Sequence, residues 1–444
     1  MNILFVHQNY PGQWREFMPA LAASARHRIV FLTQRSGLKA PSDHVIARYR
    51  PDGEVSGDSY LLSRFYEGNC RNGLGAARAA TRLKARGFTP DLIVGHVGWG
   101  EMLYLKDVWP DAKMVGYFEY YFIPEGGCVG YDPEFPERSN INVLLHARNA
   151  MNYMTMVRCD GALTATPWQR QTFPAMLADR IEVLHEGVRT DALTPEHSAP
   201  LSVDIAGRSF NRDDEIVTYV ARNLEPIRGF HTMMRALPML QQRRPNAQVV
   251  IIGGDEVSYG AALPDGSSYR ARLQGELGDK VDWSRVHFAG RVAYPTLIDL
   301  LRLARVHVYL TVPFVVSWSM LEAMALEKVV IASDVAPVRG FIEHQRTGLL
   351  TDFFAPDALA EQIAAVCADP AAYAPLGVAA REHVRAHYDA MEVCFPKFCA
   401  YLEKVAGVPA GQIAGKAAVL TRAAARGKAA ARVDTRDQAL SRAS

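Results

Sequence analysis

Short apolar runs alternate with amphipathic stretches along the first half of the chain. Ile3–Val6, Arg28–Leu32, Asp91–Val94, Met114–Phe118 and Gly161–Thr164 are dense in Val, Ile, Leu and Phe, which predicts buried strands. Between them, Trp14–Ala25 and Gly75–Arg86 place apolar residues at helical spacing. From Thr194 to Asp214 the rhythm is lost among prolines and polar residues, and it then restarts. Strands are predicted at Glu215–Val220, Gln248–Ile252, Arg285–Phe288, Val306–Leu310 and Val329–Ala332. Helices are predicted at His231–Arg243, Leu297–Leu303, Ser319–Leu326, Ala358–Ala368 and Ala371–Ala386. Strands alternating with helices imply parallel sheets covered on both faces. The expected fold is therefore α/β, with two doubly wound domains and a cleft at the carboxyl ends of their strands. Expected boundaries are residues 1–195 for the first domain, 196–214 for a linker and 215–390 for the second domain. Residues 391–407 form a helix crossing back to the first domain, and 408–444 a basic, Ala/Arg-rich flexible tail.

A length of 444 residues suits two such domains, and an apolar content of 49% can fill two cores. The charges nearly balance, 49 basic against 47 acidic, which gives no general argument for a nucleic-acid partner. The N-terminus lacks a basic lead and its apolar run is too short for a signal peptide. With no long apolar run either, a cytoplasmic location is expected. The six cysteines form no Cys-x-x-Cys pair and read as buried thiols. The basic tail is a candidate for peripheral contact with an acidic membrane face.

The chemistry concentrates in the second half. Strand Glu215–Val220 is followed by Ala221-Arg222, and Arg228-Gly229 precedes a helix. Two guanidinium groups near strand ends and a helix start make an anion receptor; solvated loop arginines are the alternative. Further on, Ser317 or Ser319 can cap a helix that carries Glu322 in its first turns. A carboxylate there can accept hydrogen bonds from two vicinal hydroxyls such as a ribose offers. The alternative is a partner for the helix dipole.

Together these runs resemble the retaining glycosyltransferases of family 4, which have the GT-B fold. The resemblance covers roughly residues 1–390. It implies a nucleoside-diphosphate-sugar donor, UDP- or GDP-linked, and no separate cofactor. Arg222 and Arg228 stand where the family's Arg and Lys hold the donor diphosphate, and Glu322, in Leu-Glu-Ala-Met-Ala, stands where the family binds the ribose. The family's earlier glutamate, separated from it by seven residues, should fall at position 314, which is Phe314 here. The following Val315-Val316-Ser317-Trp318-Ser319 also departs from the family's glycine-rich run. The resemblance still puts Ser317, Trp318, Ser319, Met320 and Leu321 over the phosphates, Arg291 and Val292 near the base, and Gly12 on the facing loop. His96, with a buried core histidine as its alternative, and Glu119 fall at strand ends facing the cleft.

No Asp-x-Asp occurs, so no metal site is expected; arginines and helix termini take over that charge. The implied acceptor is a glycan, glycolipid or small molecule, in bacterial polysaccharide or glycoconjugate synthesis. Two other readings stay open: a GT-B epimerase or hydrolase of sugar nucleotides, and a catalytically degenerate sugar-nucleotide-binding protein.

Overall fold

The computed structural model describes residues 1–24, 26–39, 41–136, 141–196 and 201–414. The first domain is built on seven strands, β1 (Asn2–Val6), β2 (Arg28–Thr33), β3 (Val45–Arg48), β4 (Leu92–His96), β5 (Lys113–Tyr117), β6 (Gly161–Thr164) and β7 (Ile181–Val183). They lie in the order β3-β2-β1-β4-β5-β6-β7, all parallel. Apolar cores fill both faces of this sheet, which is why its central strands read as unbroken hydrophobic runs.

The second domain repeats the plan with β10 (Ile216–Asn223), β11 (Gln248–Gly254), β12 (Val286–Gly290), β13 (Val306–Tyr309), β14 (Val329–Ser333) and β15 (Leu349–Thr351). Their order is β12-β11-β10-β13-β14-β15, again parallel. In both sheets the direction in which successive strands are added reverses beside the first strand, between β1 and β4 and between β10 and β13. Such switch points open crevices at the strand ends, where ligands of doubly wound folds bind.

The segment expected as a structureless linker is different. It carries an antiparallel hairpin of β8 (Val203–Ile205) and β9 (Arg208–Phe210). Val203, Ile205 and Phe210 are buried in the second domain's core. Alternation of apolar and polar residues across Val-Asp-Ile and Arg-Ser-Phe, around an Ala-Gly turn with positive φ at both residues, explains it.

The chain returns to the first domain at its end. Helix Pro370–Tyr388 leads through a π-turn, Ala390–Cys394, into helix Phe395–Ala406. Asp389 stops the first helix and caps the turn, accepting hydrogen bonds from Met391 and Glu392 amides. Phe398 then stacks on Trp14 and lies 4.8 Å from Phe17, ring centre to ring centre. Residues 408–414, assigned to the tail on sequence, also pack: Ile413 is fully buried, and Glu403 accepts hydrogen bonds from the Gly411, Ile413 and Ala414 amides. The rest of the basic tail, 415–444, lies outside the described residues. Among the described residues no single helix is long and apolar enough to cross a membrane.

Candidate active site

The first wall of the cleft is the loop after β1, His7 to Glu16. The Tyr10–Pro11 peptide is cis, and Gly12 follows with φ +55°. A Cβ at Gly12 would stand 2.6 Å from His7 Cδ2, so glycine meets both a backbone and a space requirement here. Gln13 Nε2 donates to Glu119 Oε1 at 3.0 Å, and His96 Nε2 lies 3.4 Å from Glu119 Oε2. His96 Nδ1 accepts the Gly98 amide at 3.0 Å, which leaves Nε2 to carry the proton toward Glu119. Burial opposes charge on Glu119, but the His96 and Gln13 hydrogen bonds and nearby Arg228 outweigh it. They hold its carboxyl below the usual range. The side chain stays 30% exposed, so an ionised carboxylate faces the cleft. His7, beneath this pair, is held well below the ordinary histidine value by burial and by the neighbouring His96.

The second wall comes from β10, β11, β12 and the helix Trp318–Ala325. Its N-cap is Ser317, whose Oγ accepts from the Ser319 amide, while the Ser317 amide donates to Tyr309 Oη at 2.8 Å. Ser319 and Glu322 are one helical turn apart and share the cleft face. Glu322, only 3% exposed, accepts hydrogen bonds at Oε1 from Tyr294 Oη at 2.9 Å and Arg15 Nη2 at 3.3 Å. Between the walls lies a cavity open to solvent, with about 810 Å³ of free space when its open part is counted. Gly12, Arg15, Ala221, Arg222, Gly253, Arg291, Val292, Ser317, Trp318, Ser319 and Glu322 all line it.

Among the described residues Arg222 has no hydrogen-bond or ion-pair partner, so its charge is available to a ligand. Arg291 is less available, since Nη2 is bonded to Asn223 Oδ1 and Glu256 Oε2. Three residues expected at the donor do not line the cavity. Met320 and Leu321 point the other way and are buried in the second domain's core. Arg228 sits behind the loop after β13, where Nη1 donates to Tyr309 Oη, Thr311 Oγ1 and the Val315 carbonyl. Its guanidinium lies against the rings of both Tyr259 and Phe314, at 5.7 and 5.4 Å from their centres. His96 and Glu119 lie on the first-domain side and outside the cavity wall.

The residues the sequence reading missed are Arg15, Gln13, Tyr294 and Glu225. Glu225 is fully buried and gathers the amides of Ser258, Tyr259 and Gly260, which fixes Tyr259 over Arg228. Among the described residues no three His, Cys, Asp or Glu side chains are grouped as metal ligands would be.

Two parallel-sheet α/β domains facing each other across a cleft define the GT-B class. The model of the "Glycosyl transferase family 4 group" matches residues 25–193, and that of "Glycosyl transferases group 1" matches residues 204–383. The chain belongs to the family 4 glycosyltransferases. It is 29% identical over 220 residues to alpha-maltose-1-phosphate synthase of Mycolicibacterium smegmatis, covering 48% of this chain and 54% of that one. It is 27% identical over 211 residues to D-inositol 3-phosphate glycosyltransferase of Kribbella flavida, covering 46% and 47%. The matches thus span about half the length of these relatives. Among solved structures, sucrose-phosphate synthase of Thermosynechococcus elongatus superposes with a TM-score of 0.66 at 18% identity, over 92% of this chain and all of that one. HepE of Anabaena, in complex with UDP and glucose, superposes with a TM-score of 0.62 at 16% identity, over 91% of this chain and 100% of that one. These likenesses establish the shared GT-B fold.

Proposed function

We propose that the protein transfers a sugar from a nucleoside-diphosphate sugar, UDP- or GDP-linked, to an acceptor hydroxyl with retention at the anomeric carbon. The carrying observation is the single cavity wall on which unpaired Arg222, the N-terminal turn at Ser317–Ser319 and Glu322 converge. Charge develops on the departing diphosphate, and Arg222 with the helix amides offers fixed positive charge to it. Glu322 binds the ribose. The acceptor enters from the first domain, where Glu119 faces the cleft as a carboxylate. Attack comes from the leaving-group face, and the departing phosphate takes the acceptor proton. Arg228 contributes through the loop: by holding the Val315 carbonyl it sets where the helix begins. HepE, which shares the fold, is seen in complex with UDP and glucose, which supports a nucleotide-sugar donor. The acceptor is a glycan, glycolipid or small molecule of bacterial surface synthesis.

One observation favours a binding protein without turnover: Phe314 fills the place of an acidic side chain and is buried among aromatic rings. A thermal-shift screen with UDP, GDP, ADP, TDP and their sugar conjugates separates the readings. A ligand at 100 times its Kd adds about 2.7 kcal/mol to stability. Stabilisation of the wild type that is absent in Glu322→Ala supports the donor site, and turnover of the stabilising sugar nucleotide with an acceptor panel supports transfer. No stabilisation by any of them sinks the proposal. An inverted product would overturn the retaining mechanism.

A further inference from the structure

Arg15 is the one charged side chain that the first domain adds to the cavity wall among the described residues. It sits three residues beyond Gly12 and is only 10% exposed. Its guanidinium carbon is 4.6 Å from the centre of the Trp318 ring and 5.7 Å from that of Tyr294, both in the second domain. Nε donates to Glu16 Oε1 at 3.1 Å, and Nη2 reaches Glu322 Oε1 at 3.3 Å. The guanidinium is therefore fixed on three sides by groups from both domains.

We infer that Arg15 is a positioning residue for the donor. From across the cleft it holds Glu322 Oε1 so that Oε2 is the oxygen offered to the vicinal hydroxyls of a ribose. This rests on the donor-site reading above. Two donors, Tyr294 from the same domain and Arg15 from the other, converge on one carboxylate oxygen. Oε2 has no hydrogen-bond partner among the described residues. Two hydrogen bonds at one oxygen restrain the rotation of the carboxylate, and the fixed plane keeps the two lone pairs of Oε2 turned toward the hydroxyls. Seating the nucleotide at Glu322 is thereby tied to the arrangement in which the two domains meet. The task needs arginine, because a planar guanidinium can stack on Trp318 while its edge donates to two carboxylates. An ammonium keeps the charge and loses the stacking.

The test is calorimetric titration of UDP, GDP, ADP and TDP into the wild type, Arg15→Met, Arg15→Lys, Glu322→Gln and the Arg15→Met/Glu322→Gln double variant. With the diphosphate that the wild type binds, Arg15→Met should weaken affinity roughly tenfold, the scale of a lost hydrogen bond to a charged group. Arg15→Lys should recover only part of that. The double variant should bind no more than about twofold more weakly than Glu322→Gln, because the two residues act through one carboxylate. A purely structural role would instead lower the unfolding midpoints of both Arg15 variants and leave the affinity of the folded protein unchanged. Wild-type affinity in Arg15→Met, or additive losses in the double variant, overturns the inference while the donor site stands. Failure of the wild type to bind any of the four diphosphates overturns the donor-site reading and Arg15's role with it.

Discussion

The ring of Phe314, on the loop after β13, stands edge-on to that of Tyr120 in the first domain, with 5.0 Å between centres. Tyr259 approaches Phe314 from the other side at 5.1 Å, and Arg228 lies beneath. At the position where the family resemblance leads one to expect a glutamate, this chain builds an aromatic contact between its domains. Phe314→Ala should cost about 3 kcal/mol. A double-mutant cycle with Tyr120→Leu should return about 1 kcal/mol of coupling, measured by urea denaturation. Zero coupling would mean that the two rings are neighbours without mutual stabilisation.

Gly12 supplies a second prediction. A methyl group there meets the His7 ring at under 3 Å, on a backbone that L side chains seldom adopt. Gly12→Ala should lose about 1–2 kcal/mol of stability. It should also displace Pro11 and Arg15 from the cavity wall, so that the nucleotide no longer raises the midpoint in a thermal-shift assay. A variant that keeps its nucleotide response would show that the loop adapts without cost to the site.

Much of this site was legible and some was not, for reasons that can be named. Arg222, Ser317 and Glu322 sit at places that a strand end and a helix start dictate. Helical spacing turns the side chains of Met320 and Leu321 inward, away from Ser319 and Glu322, so the expected donor contact falls to their backbone amides alone. The long helix Leu61–Ala85 was read only from Gly75, because glycines at 68, 73 and 75 resemble a boundary. Two of them are there for close packing: a Cβ at Gly73 would meet the Gly100 carbonyl oxygen at 2.7 Å, and one at Gly75 would overlap that of Arg50. Strands β7 and β15 are three residues each, too short to show a period. The Arg15–Glu322 contact joins positions 307 apart, and no local pattern encodes it.

Histidines held down by burial contribute to the acid side of the stability curve, His307 and His7 among them. Burial holds His307 down to about 3, although its contact with Thr218 works the other way. His7 is lowered by burial and by His96. In the unfolded chain both titrate near 6.5. Above that value neither state binds the proton and stability is complete. Below it the unfolded chain takes up protons that the folded one refuses, and each group costs about 1.4 kcal/mol per pH unit until its folded value is reached. The wild type should therefore lose stability steadily from pH 6.5 to pH 5. His307→Leu should reduce the slope of denaturation free energy against pH by about 1.4 kcal/mol per unit. An unchanged slope would show that His307 is protonated in the folded protein.

Glu403 anchors the last described turn through three amide hydrogen bonds while 5% exposed. Glu403→Gln replaces an ionic acceptor with a weaker one and adds an amide donor facing the same N–H groups. It should cost about 2 kcal/mol and open the chain between Gly407 and Ala414 to limited proteolysis. Equal cleavage rates in wild type and variant would show that Ile413 alone holds the segment.

The chain crosses between the domains near Val188 and again at Asp389, and the two crossings are bonded side by side. The Val188 amide donates to the Tyr388 carbonyl and the Ala390 amide to that of Val188, both at 2.9 Å. Gly187 lets them approach, since a Cβ there would stand 2.5 Å from the Tyr388 carbonyl oxygen. Two tethers joined at one place act as a pin: the domains can swing about it but cannot slide along one another. Motion of any cross-cleft contact then scales with its distance from the pin. Trp318 Nε1 bonded to Glu186 at 3.1 Å, two residues from Val188, lies near the axis and stretches little as the jaws part. Contacts towards the far rim travel furthest for the same angle, so a small rotation at the pin suffices to admit a substrate there.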